Sequence, residues 1–269
     1  MVSIAGGGET QGAGWAVRFI TLGRFELWTG DDVQLDLGRG RPRQLLAMLL
    51  LRANATLTYG ALIDGLWEKA PCSAFANLRT YASAARRLLA TADLDADRRL
   101  NTAPGGYRLD VSSDELDILR WSNLLTTGVA AHQAGELSVA ISNLGEACDL
   151  WRGPPFGGLH LHGTSSAWLT SLEERNIGAR ETLIEARLDV GAHHELIGDL
   201  RSLVGEYPLR ERLWVSLMLA LYRSGRQTEA LRAYHEVRDK LVREVGVEPG
   251  PELQAMERAI LTSSPTSAP

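Results

Sequence analysis

"ANLRTYASAARRLLA", residues 76–90, decides how the first half of the chain is read. At helical spacing Leu78, Tyr81, Ala82, Ala85, Leu88 and Leu89 form one apolar stripe, the face a helix turns toward a core. Arg79, Thr80, Ser83, Arg86 and Arg87 occupy a separate arc of roughly 120°, counting about 100° per residue. A charged helix face is commonly no more than a solvated one. The same face would also suit a helix laid in a DNA groove, and the flanking sequence separates the two readings.

Working outward, "VRFITLG", "RFELW" and "VQLDL" are short β-prone runs broken by "GDD", which predicts a small antiparallel sheet. "RQLLAMLLLRA" predicts a helix opening just after Pro42. "TLTYGALIDGLWEKAP" predicts a second, capped by Thr58, turning Leu62, Ile63, Leu66 and Trp67 inward and stopped by Pro71. Residues 76–90 form the third. "RRLNTAPGGYRLDV" then reads as a hairpin around "APGG", with Leu109 and Val111 alternating with polar neighbours and Tyr107 as a packing residue. Sheet, three helices and terminal hairpin make a winged helix-turn-helix over residues 17–111. In that arrangement Arg79, Thr80, Ser83, Arg86 and Arg87 face the major groove, where Arg reads guanine and hydroxyls read a base or grip a phosphate. Arg98 and Arg108, placed on the hairpin, would meet the backbone or the minor groove.

Residues 114–261 are nearly all helical pattern, and the pattern repeats. "LWVSLMLALYRSGRQTEALRAYHEV" puts Trp214, Leu217, Leu221, Gly225, Ala230 and Tyr234 on the signature positions of a 34-residue tetratricopeptide unit. One step back, Leu183, Gly191, Leu200 and Pro208 take equivalent places. A third unit centres on Gly135, with Gly128, Ala140, Leu144 and Ala147. The excess between the Gly135 and Gly191 units falls on "RGPPFGGLHLHGTSSAW", read as a loop. Each central glycine is expected at a tight turn between paired helices. The fold class is therefore mainly α: an α+β winged helix followed by an all-α repeat domain, a form suited to gripping protein. Residues 1–16 and 262–269 read as a flexible lead-in and tail.

Charge supports the same division. The net charge of −5 hides a balance of +6 within residues 38–108 (11 basic, 5 acidic) and −7 within 111–269 (15 basic, 22 acidic). The longest apolar run, "LLAMLLL" at 45–51, is far too short to span a bilayer, and the N-terminus lacks a secretion signal. Two cysteines, Cys72 and Cys148, are too few for a disulfide framework and fit a reducing cytoplasm.

No GxxxxGK[ST] loop, GxSxG elbow or HExxH pair occurs, so neither catalysis nor a cofactor is expected. His160 with His162, and His193 with His194, lack Cys or carboxylate partners at metal-ligand spacing. A hydrolase built on Ser165 or Ser166 with His160 or His162 rests on proximity in a loop alone. A helical-repeat scaffold whose winged helix docks protein is the remaining alternative.

Taken together, "RQLLAMLLLRANATLTYGALIDGLW", "NLRTYASAARRLL", "APGGYRLDV", "LWRGPPF" and the block from Pro208 to Leu253 resemble the Streptomyces antibiotic regulatory proteins, which join an OmpR-like winged helix to a bacterial transcriptional activation domain. The resemblance covers about residues 17–261. It implies an activator of secondary-metabolite genes that binds direct repeats in double-stranded promoter DNA, two copies head to tail, and recruits RNA polymerase with its sigma factor. It also implies that Arg79, Thr80, Ser83, Arg86 and Arg87 lie on the recognition helix and Arg98 and Arg108 on the wing. By the same resemblance, Glu68, Lys69, Ala70, Pro71, Cys72 and Ser73 form the loop that touches polymerase. The chain departs from the pattern at Ala82 and Ala85, where relatives often carry bulkier apolar residues.

Overall fold

The computed structural model describes residues 17–92 and 96–262; the expected lead-in at 1–16 and all but the first residue of the expected tail lie outside them. β1 (Val17–Ile20), β2 (Glu26–Thr29) and β3 (Gln34–Leu35) form an antiparallel sheet in that order. α1 (Arg41–Leu51) carries Pro42 in its first turn and buries six consecutive residues, Leu45 to Leu50, so it is the central strut of its layer. β4 (Leu57–Thr58) leads into α2 (Tyr59–Leu66), whose N-cap Thr58 accepts a hydrogen bond from the Ala61 amide at 3.2 Å, as the sequence predicts.

α2 does not run to Pro71. It stops at Trp67, which is extended (φ −134°, ψ 135°). The indole there stacks on Tyr81 at 6.0 Å and carries the Arg41 guanidinium over its ring, so side-chain packing ends the helix before proline can. α3 (Ala74–Ala92) follows, then the short α4 (Ala96–Arg99). β5 (Leu100–Ala103) and β6 (Gly106–Leu109) close the hairpin, with β6 between β4 and β5. Its two-residue turn needs Gly105 at φ 77°, and a Cβ on Gly106 would stand 1.9 Å from the Leu57 carbonyl oxygen.

The remaining elements are helical: α5 (Asp117–Gln133), α6 (Leu137–Leu150), α7 (Gly163–Asp189), α8 (His193–Glu206), α9 (Glu211–Arg223), α10 (Gln227–Glu244) and α11 (Pro251–Thr262). The chain divides into two compact units, one made of residues up to Asn123 with Asp149–Glu174, the other of Leu124–Cys148 with Arg175 onward.

The first unit thus takes in the stretch read as a loop within the repeats. Only part of it is loop, since α7 already begins at Gly163. The Arg152, Phe156 and Gly157 amides donate to the carbonyls of Leu22, Thr21 and Gly23, and Phe156 is buried edge-on against Phe25 at 5.1 Å. The His162 amide donates to Gly65, and Gln44 Nε2 donates to the His160 carbonyl at 2.7 Å. Asp117 ties the start of α5 to the end of β1, accepting from the Thr21 and Leu22 amides at 2.7 and 2.9 Å and from the Thr21 hydroxyl. Burial pushes its carboxyl above the ordinary carboxylate range against the pull of these donors.

Within the second unit, the predicted glycines sit where paired helices reverse: Gly135 at φ 77°, Gly191 at 89° and Gly225 at 75°. All three turns share one hydrogen-bond pattern. The glycine amide reaches back three residues and the next amide reaches back five, as in Glu136 to Ala131, Ala192 to Arg187 and Arg226 to Leu221. That is the Schellman motif, which requires a left-handed residue after the helix. The last pair surrounds Trp214, which is buried with Leu217, Met218 and Leu221 against Leu200 and Val204 of α8 and Ala230, Tyr234 and Val237 of α10. Its indole donates to the Pro208 carbonyl at 2.9 Å. α11, which the repeat pattern did not reveal, closes this core with Leu253 and Ile260.

Candidate nucleic-acid interface

α3 buries Ala74, Leu78, Ala82, Ala85 and Leu89, the stripe expected from its spacing, while Tyr81 and Leu88 are half-buried. Ala82 and Ala85 lie in the part of the stripe where a larger side chain would push the helix outward. The opposite side exposes Arg79, Thr80, Ser83 and Arg87. The Thr80 and Ser83 hydroxyls donate to the carbonyls of Ala76 and Arg79 at 3.3 and 3.0 Å, leaving their oxygens free to accept. Among the described residues, Arg79 and Arg87 make neither an ion pair nor a hydrogen bond through their guanidinium groups. Among the described residues the face thus offers two guanidinium groups as free donors and two hydroxyl oxygens as acceptors, a mixed surface suited to base edges and, through the arginines, to phosphates.

Arg86 is turned away from that stripe. Its Nε donates to the Leu100 carbonyl and an Nη to Thr102 Oγ1, both at 2.9 Å, and its guanidinium lies over Tyr107 at 5.6 Å. Three contacts to one hairpin make it a brace that sets the wing against the helix. Arg98 is exposed, but it lies in α4 before the hairpin begins. Arg108 is on β6 as expected, with Nε 2.5 Å from Oδ1 of Asp110, the residue just after the strand, so its charge is partly answered locally. The hairpin is pinned at its tip, where the Tyr59 amide donates to Gly105 at 2.9 Å.

Glu68, Lys69, Ala70, Pro71, Cys72 and Ser73 are all exposed and form the connection from α2 to α3. Sequence reasoning missed one residue of this surface. Phe75 is 49% exposed and stands four residues ahead of Arg79, so the spacing that found Arg79 and Ser83 would also have found it.

The hydrolase reading gains no support from the geometry. Ser165 Oγ is buried and has no hydrogen-bond partner among the described residues, so neither His160 nor His162 engages it. The two imidazoles instead meet edge to face at 4.7 Å. No group of three or more His, Cys, Asp or Glu suited to a metal occurs among the described residues. No helix among them is long and apolar enough to cross a membrane.

Comparison with known proteins accords with this architecture. The family model of the bacterial transcriptional activator domain matches residues 116–261. The regulatory protein AfsR of Streptomyces coelicolor is 40% identical over 94% of the chain, which spans only 25% of AfsR's own length. The regulatory protein DnrI of Streptomyces peucetius is 37% identical over 84% of the chain and 85% of DnrI. The structure of Mycobacterium tuberculosis EmbR, solved with a low affinity phosphopeptide, superposes with a TM-score of 0.86 at 34% identity over 94% of the chain and 66% of EmbR. A winged helix followed by this activator domain, with these relatives, places the chain in the Streptomyces antibiotic regulatory protein family of transcriptional activators.

Proposed function

We propose that the chain is a sequence-specific DNA-binding activator of secondary-metabolite genes, seated on direct repeats beside a promoter. The observation that carries this reading is the exposed Arg79–Ser83–Arg87 stripe of α3, whose two guanidinium groups have no partner among the described residues, on a helix braced to the wing through Arg86. α3 enters the major groove, Arg98 and Arg108 meet the backbone beside it, and the exposed turn Glu68–Ser73 faces RNA polymerase and its sigma factor. The repeat domain contributes protein contacts, because its −7 balance makes it a poor surface for phosphate. In this reading the DNA-binding part is residues 17–111 and the activation domain residues 114–261, although the first compact unit crosses that division to take in residues up to Asn123 and Asp149–Glu174.

Two protomers lie head to tail, so different surfaces of each meet. Half-sites about 10 to 11 bp apart bring both recognition helices to one side of the duplex. The test is binding to the chain's neighbouring promoter fragments across salt, followed by insertion of about 5 bp between the repeats. With about 6 phosphates neutralised, log affinity falls against log salt with a slope near −5. A slope near zero removes the DNA reading in favour of a protein scaffold. A palindromic footprint, or activation indifferent to the half-turn insertion, removes the head-to-tail arrangement.

A further inference from the structure

Phe75 is the one aromatic residue among the described residues that is exposed, and it sits at the second position of the recognition helix. Leaving a phenyl ring half in water forgoes burial that other aromatic residues of the chain obtain. Its position has a use, however. Phe75, Arg79, Ser83 and Arg87 follow one another at intervals of four, so the ring heads the polar stripe, one turn nearer the helix N-terminus. N-terminal residues of a recognition helix are the ones that reach base edges.

The ring is also held. It meets Tyr59 edge to face at 4.9 Å, and Tyr59 meets Tyr107 in the same way at 5.4 Å. Tyr107 is buried and carries the Arg86 guanidinium on its face. The ladder Phe75–Tyr59–Tyr107–Arg86 therefore couples the start of α3 to the wing. A ring locked by such contacts presents an apolar edge at low entropic cost, unlike a long flexible side chain.

The major groove offers one apolar feature, the 5-methyl group of thymine. We propose that Phe75 is a specificity residue that packs on a thymine methyl in each half-site. The thymine lies within about two base pairs of the base or phosphate that Arg79 touches, since four residues advance a helix by about 6 Å. This rests on the DNA-binding reading above. It adds an apolar contact to a face otherwise made of charges and hydroxyls.

The test selects binding sites for the full chain from a randomised duplex pool, prepared once with thymidine and once with deoxyuridine, which differs only by the missing methyl. The wild-type chain is expected to recover a consensus with thymine at one position per half-site, and single-position replacement by uracil weakens binding about three- to five-fold. Phe75→Ala recovers the same consensus with that position randomised and shows no thymine–uracil difference, while Phe75→Leu keeps part of it. Arg79→Ala keeps the thymine–uracil difference and loses selectivity elsewhere. Thermal unfolding of each variant verifies that the helix is intact. If wild type and Phe75→Ala recover identical sites, or uracil is accepted as well as thymine at every position, Phe75 reads no base and its ring belongs to a protein contact. If the wild-type chain enriches no sequence, the DNA reading falls and takes this one with it.

Discussion

Helices α3 and α9 have comparable amphipathic sequences and opposite fates. α9 buries seven of its thirteen residues because α8, α10 and α11 close around it, and Trp214 fills the space between them. α3 buries five of nineteen, three of them alanines, along a single stripe. The difference teaches where function can reside. A helix enclosed by neighbours spends its side chains on packing, whereas a helix seated on small residues keeps a face free for an external partner.

The largest expected effect tests the enclosed helix. Trp214→Ala removes a buried indole and its hydrogen bond to Pro208, and is expected to cost about 3 to 5 kcal/mol in urea unfolding of the full chain. A loss under about 1 kcal/mol would mean the repeat core relaxes around the gap, and the contrast with α3 would weaken.

Arg86 and Arg79 sharpen the comparison within α3 itself. Arg86→Ala leaves the Leu100 carbonyl without its donor and frees the wing, an expected loss of about 1 to 3 kcal/mol in stability. Arg86→Lys should not restore it, because an ammonium cannot serve a carbonyl, a hydroxyl and a ring face from one plane. Arg79→Ala is expected to leave stability within about 0.5 kcal/mol and to weaken binding to a selected site by about 1 to 3 kcal/mol. If both substitutions acted alike on stability and on binding, the separation into brace and reader would be wrong.

The smallest effect concerns a turn. Gly225→Ala forces a left-handed alanine and is expected to cost about 1 to 2 kcal/mol, read in the same unfolding experiment and without change in the selected DNA consensus. An unchanged midpoint would show that the α9–α10 turn relaxes to another geometry.

The sequence alone determined the features that depend on neighbours a few residues away. The Thr58 cap, the buried stripe of α3, the Gly105 turn and the three Schellman glycines follow from local dihedral preferences and from helical periodicity, both of which are written into short windows. The exposed stripe of Arg79, Thr80, Ser83 and Arg87 was legible for the same reason. Other features were decided by tertiary structure. The stretch after Trp151 has no period and reads as an insertion, yet its amides pair with Thr21, Leu22 and Gly23 at the far end of the sequence. Arg86 shares its helix face with Arg79 in projection, but the carbonyl and hydroxyl of a hairpin that forms only on folding draw it sideways. Phe75 is exposed yet held because Tyr59, itself packed on Tyr107 of the hairpin, meets its ring from another element. Hydrogen-bond partners and ring contacts so distant in the chain leave no mark on local spacing, and they come together only when the core packs.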